Sequence, residues 1–250
     1  QISHFLIIAI ILMLWLVIIV NCWPFTGFLK NKFLIGFFTL LSAYALAYII
    51  WKIFFNYEVV AEIAPWYIAD LDPRGIYNFI DAIVFIITTC PIILYLALFD
   101  NWLLDKWIKK QPYKAIINTV LVLLIAYLFQ SFFVLIMGMD ATVYMVLVPI
   151  CMVFGSFFVN NMTQFSLFNQ QSQPYKGIFK IIIATLLGLS MYAIYYTVAP
   201  FARGKQMASG LEGNYQLDLW IADTMLGISF PLIIVLTDFF GFWPIKSRKN

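Results

Sequence analysis

Seven apolar stretches, each long enough to cross about 30 Å of hydrocarbon as a helix, limit what this chain can become. They run over residues 5–22, 33–55, 79–98, 115–137, 141–159, 177–199 and 218–240. The residues are 64% hydrophobic and 11% charged, against about 45–50% and about 25% in soluble domains. No soluble fold of this length buries so much apolar surface, so the expected solvent is a lipid bilayer. The expected fold is all-α: a polytopic transmembrane helical bundle of seven spans forming a single transmembrane domain over 1–250.

Orientation follows from the lysines, which favour the inner side. Lys30 and Lys32 follow the first span, Lys106, Lys109, Lys110 and Lys114 the third, and Lys176 and Lys180 the fifth. Lys246, Arg248 and Lys249 follow the seventh. The other side carries Lys52, Arg74, Arg203 and Lys205 among more numerous acids. The N-terminus is therefore expected outside and the C-terminus inside. Trp23, Trp51, Trp102, Trp107, Trp220 and Trp243 fall near span ends, where indole prefers the headgroup level.

Segments far apart echo one another. Leu41-Ser42-Ala43-Tyr44-Ala45-Leu46-Ala47-Tyr48 resembles Leu189-Ser190-Met191-Tyr192-Ala193-Ile194-Tyr195-Tyr196, and Cys90-Pro91-Ile92-Ile93-Leu94 resembles Phe230-Pro231-Leu232-Ile233-Ile234. The second span thus matches the sixth and the third the seventh. An offset of four spans makes the repeat parallel: a tandem four-helix unit, repeat A about 1–140 and repeat B about 141–250, with the eighth span absent. Gln111-Pro112-Tyr113-Lys114 also recurs as Gln173-Pro174-Tyr175-Lys176, a match that common helix-start chemistry explains as well as duplication does.

The chemistry is sparse. His4 is the sole histidine, so bis-histidine haem, copper clusters and diiron centres are not expected. Cys22, Cys90 and Cys151 lack metal spacing. There is no Gly-rich phosphate loop, and a net charge of +3 does not suggest nucleic acid. No cofactor is expected, and these residues single out no enzymatic chemistry.

The candidate ligand-lining residues are Asp81 and Asp223, early in the third and seventh spans, and Tyr44, Tyr48, Tyr192 and Tyr196, spaced i, i+4 on the repeated helices. An intramembrane carboxylate is a functional candidate by cost alone, although near a helix N-terminus it also complements the dipole. Asp70, Asp72 and Arg74 form a candidate cluster in the 56–78 loop, which is equally a turn sequence. Pro91, Pro149 and Pro231 interrupt the third, fifth and seventh spans and free backbone carbonyls there.

The leading expectation is a transporter or channel-like protein with a polar path between two parallel repeats. The alternative is a non-catalytic anchor or scaffold subunit of a larger membrane complex, quinone-adjacent, for which few glycines and many aromatics speak. An exposed, conspicuously apolar helix face would favour it. A lipid-acting enzyme using carboxylates of the 56–78 loop is a third reading. The expected partners are lipid, other membrane subunits or further copies of the chain, in the cell or inner membrane.

Overall fold

In the computed structural model, residues 2–61, 66–99, 108, 110–162, 168, 170–211 and 214–235 are described. Six helical segments among them are long and apolar enough to cross a membrane: Ile2–Ile19, Lys32–Phe54, Phe79–Leu98, Tyr113–Ile136, Ala141–Asn161 and Tyr175–Arg203. They match the first six expected stretches to within a few residues. The seventh stretch is helical from Gln216 to Ile234, and its remainder lies outside the described residues. So do Trp102, Trp107, Trp243, Lys106, Lys109 and the terminal basic residues.

The helices, in chain order, are α1 (Ile2–Leu14), α2 (Phe25–Phe28), α3 (Lys32–Phe54), α4 (Phe79–Leu98), α5 (Tyr113–Gln130), α6 (Ala141–Met145), α7 (Cys151–Met162), α8 (Tyr175–Arg203), α9 (Gln216–Thr224) and α10 (Phe230–Ile234). The spans begin where side chains satisfy the free N–H groups of the first turn. Asn31 Oδ1 accepts from Phe33 N at the start of α3, and Asn78 Oδ1 from Ile80 N at the start of α4. Asp140 Oδ1 accepts from Thr142 N and Val143 N ahead of α6. The duplicated Gln-Pro-Tyr-Lys segments perform one task twice. Gln111 Oε1 accepts from Ala115 N and Gln173 Oε1 from Gly177 N, each at 3.1 Å.

Among the described residues, four stretches wind as π-helix: Trp15–Ile19 after α1, Ser131–Ile136 after α5, Val146–Ile150 between α6 and α7, and Met225–Ser229 between α9 and α10. Such geometry accounts for well under 1% of residues in ordinary proteins. Proline explains two of the four. Pro149 lies inside its π stretch and Pro231 just beyond another, where a missing N–H and a ring clash disfavour normal α pairing. Pro91, by contrast, is carried within the continuous helix α4.

The chain forms two compact units. The first comprises Gln1–Ile93 and Leu104–Phe132. Here α1 packs along α3, and the buried stripe of α3 is made of small residues, Thr39, Ala43 and Ala47. The spacing of four lets the helices approach closely. Trp15 Nε1 donates to Thr119 Oγ1 of α5 at 3.0 Å. After α3, two-residue strands pair in parallel, Phe55 with Tyr77 and Asn56 with Asn78. Gly75 is required there, because a Cβ would overlap the backbone of Phe54 and Phe55.

The second unit comprises Leu94–Leu103 and Phe133–Asn250. Its centre is the α7–α8 pair, whose backbones touch. A Cβ on Gly155 would overlap the Ala184 carbonyl, and one on Gly188 the Cys151 carbonyl. Residue 151 meets 188 while 155 meets 184, so the helices run antiparallel. Tyr95 and Thr185 share a 2.8 Å hydroxyl–hydroxyl hydrogen bond beside them.

Candidate functional site

In the first unit the polar groups converge on the loop between α3 and α4. The Asp72 carboxylate is buried and accepts three hydrogen bonds, from Tyr57 N, Arg74 N and the Tyr67 hydroxyl, at 3.2, 2.9 and 3.2 Å. Asp72 therefore acts as the knot of the loop. Arg74 turns outward to Glu58 at 3.7 Å, an exposed pair worth little, while Asp70 is exposed in a short helical turn. Tyr57 is wholly buried, its ring grouped with those of His4 and Phe79, all three within 5.7 Å of one another, with Trp66 edge-on. Its hydroxyl lies 3.1 Å from both His4 Nδ1 and Trp51 Nε1. Burial pushes the Tyr57 phenol up to about 12; the Trp51 hydrogen bond opposes this, and the Asp72 charge adds to it.

In the second unit two π-helical stretches flank one core. Val146, Cys151, Phe154, Ala199, Leu217, Ile221, Ala222 and Met225 form the buried cluster, with Tyr192, Tyr195 and Trp220 packed against it. The Cys151 thiol donates to the Val146 carbonyl at 3.3 Å, and the Tyr195 and Ser229 hydroxyls pair at 2.7 Å. Asp218, fully buried, accepts from the Ser209 hydroxyl and Gly210 N at 2.8 and 2.9 Å. The loop after α8 is thereby strapped to α9. Tyr215 adds a bond from its hydroxyl to Asp140 at 2.9 Å, and burial together with that carboxylate raises its phenol above the ordinary range.

The expected residues fall into three groups. Asp72 and Arg74 are brought together, through the Arg74 backbone N–H. Tyr192 joins the core of the second unit and stacks on Tyr196, with ring centroids 6.2 Å apart. The others face outward: Asp81 in the first turn of α4, Asp223 in α9, Tyr44 and Tyr48 on α3, and Tyr196 on α8. Tyr44 touches Phe5 and Tyr48 touches Trp51 through their rings.

Several important residues were not singled out from sequence. Asp218 lies nearer the loop than Asp223 and Tyr57 is a loop tyrosine, so neither carries a sequence signal for its buried role. Lys180, counted among the inner-loop lysines, is buried within α8. The Gly155 and Gly188 contact did have a signal, in two small-residue pairs at spacing four, Cys151/Gly155 and Ala184/Gly188. Among the described residues, no three His, Cys, Asp or Glu side chains gather as a metal site. Compared with protein-family models, curated proteins and solved structures, the chain finds no match.

Proposed function

We propose that this integral membrane protein is a non-catalytic subunit of a larger membrane assembly, with the outward faces of α3 and α5 covered by neighbouring transmembrane protein. The observation that carries this reading is the placement of two tyrosines. Tyr44 stands one residue from the midpoint of Lys32–Phe54 and Tyr127 close to the midpoint of Tyr113–Ile136, and they are 42% and 60% exposed. Neither hydroxyl has a hydrogen-bond partner among the described residues. A hydroxyl left unpaired in hydrocarbon costs about 1–3 kcal/mol, whereas a neighbouring helix offers it an acceptor. The surrounding face, with Phe37, Leu41, Tyr48, Val120 and Leu124 also exposed, is the broad apolar surface such a subunit presents.

Removing both hydroxyls tests this. The Tyr44→Phe/Tyr127→Phe double variant is expected to keep the wild-type melting temperature while shifting from the assembled to the free form on native gels. A wild-type chain that already migrates alone would contradict the reading.

A second reading, a transporter or channel-like protein, draws on the two π stretches around Tyr192, Tyr195 and Ser229 in the second unit, since π turns recur at functional sites. Its path would run between the parallel repeats past Asp81 and Asp223. The subunit reading predicts no proton or cation flux into proteoliposomes above protein-free vesicles. Flux abolished by Asp81→Asn or Asp223→Asn, with unchanged membrane abundance, would establish transport instead.

A further inference from the structure

We infer that His4, Tyr57 and Trp51 form a proton-sensitive latch fastening the loop between α3 and α4 to α1. The argument is an accounting of hydrogens. Indole N–H is only a donor, so Trp51 obliges the Tyr57 oxygen to accept. Tyr57 then has one hydrogen of its own to place, and its side chain is wholly buried. Among the described residues, the other group within hydrogen-bond reach of that hydroxyl is His4 Nδ1, at 3.1 Å. The arrangement closes only if Tyr57 donates to an unprotonated Nδ1, which fixes His4 as the neutral tautomer carrying its hydrogen on Nε2. An imidazolium puts a second donor against the same oxygen and strands the tyrosine hydrogen in a buried site, at the cost of an unmade hydrogen bond. Acid therefore weakens the latch, and neutral pH holds it.

The surroundings do not rescue the protonated form. From α3, Lys52 sits over the Trp51 ring at 5.5 Å and adds positive charge. From the loop come Tyr67 and Asp72, and both Asp72 oxygens are already occupied by Tyr57 N, Arg74 N and Tyr67. Glu58 is paired with Arg74, and Asp81 of α4 is exposed two residues beyond Phe79. The Phe79 ring lies 5.4 Å from the imidazole and offers it no acceptor. The latch matters because it ties the knot around Asp72 to the first span: the Tyr57 backbone binds Asp72 while its hydroxyl binds His4.

Hydrogen exchange on the full chain in lipid nanodiscs tests the proposal, read as protection factors corrected for the intrinsic pH dependence. As pH falls from about 7.5 to about 4, a range that extends below that of a free imidazole because the latch holds the ring neutral, segments 57–61 and 66–76 are expected to lose protection about five- to tenfold, the loss of one hydrogen bond. His4→Gln, whose amide oxygen accepts without titrating, should make protection independent of pH, and Tyr57→Phe should lower it at both values. Because the chain has one histidine, its imidazole resonance can be followed directly, and protection should fall as pH drops toward the midpoint of that resonance and level off below it, a readout that holds even if the variants fail to fold. Protection independent of pH in the wild type, an equal loss in His4→Gln, or a loss confined to pH values well below the imidazole midpoint would overturn the latch.

Discussion

Replacing Gly188 with alanine is expected to destabilise the protein by about 3 kcal/mol, the upper end of what overpacking costs. A single methyl there would occupy the space of the Cys151 carbonyl, and on Gly155 that of the Ala184 carbonyl. The obstruction is backbone on both helices, so no rotamer change relieves it, and α7 and α8 must part. Parting them also disturbs the neighbouring Leu98, Val159 and Ala184 cluster. The same change at Gly36 supplies the control. Its Cβ would meet nothing within 4 Å, so Gly36→Ala should be neutral or stabilising by up to about 1 kcal/mol through helix propensity. Equilibrium unfolding of the two variants in one detergent checks this. Equal melting of Gly188→Ala and Gly36→Ala would show that the α7–α8 contact is looser than described.

The second large effect is expected at Asp218. Asp218→Ala leaves the Ser209 hydroxyl and Gly210 N–H without their acceptor. Hydrogen bonds to a charged group contribute about 1.5–3 kcal/mol each, so a loss of about 3 kcal/mol is expected. Asp223→Ala removes an exposed carboxylate and should change stability by less than about 0.5 kcal/mol. Proteolysis offers a second readout: the segment 204–211 should be cut faster in Asp218→Ala and at the wild-type rate in Asp223→Ala. Matching cleavage rates would mean that Asp218 does not hold the loop.

These two aspartates show where reading residues in order reaches its limit. They are five positions apart on one helix, about 140° around its axis at 100° per residue, so one turns inward and the other outward. Proximity to the apolar run pointed to Asp223, whereas burial belongs to Asp218. The tyrosine stripe on α3 carries the same lesson. Its i, i+4 spacing correctly places Tyr44 and Tyr48 on one face, but polarity does not say which face packs inward in a membrane. Small residues decide that, and Ala43 and Ala47, each one position before a tyrosine, make the buried side against α1.

The six spans were legible because sustained hydropathy is what a bilayer selects, and the start of α5 and of α8 was legible as a repeated Gln-Pro-Tyr-Lys. The π stretches were not, since proline marks only two of them. The burial of Asp72 was also hidden. Asp72-Pro73-Arg74-Gly75 reads as a turn, and it is one, but its role as acceptor for Tyr57 and Tyr67 depends on residues 15 and 5 positions upstream. The parallel duplication remains our proposal.

The most direct test of the assembly reading is the mass of the particle that holds the wild-type chain when it is excised from its membrane together with surrounding lipid. After lipid is released in the gas phase, the protein mass should exceed that of one copy of the chain, and the Tyr44→Phe/Tyr127→Phe variant should fall toward that value. A wild-type particle containing one chain and no other protein would contradict the account.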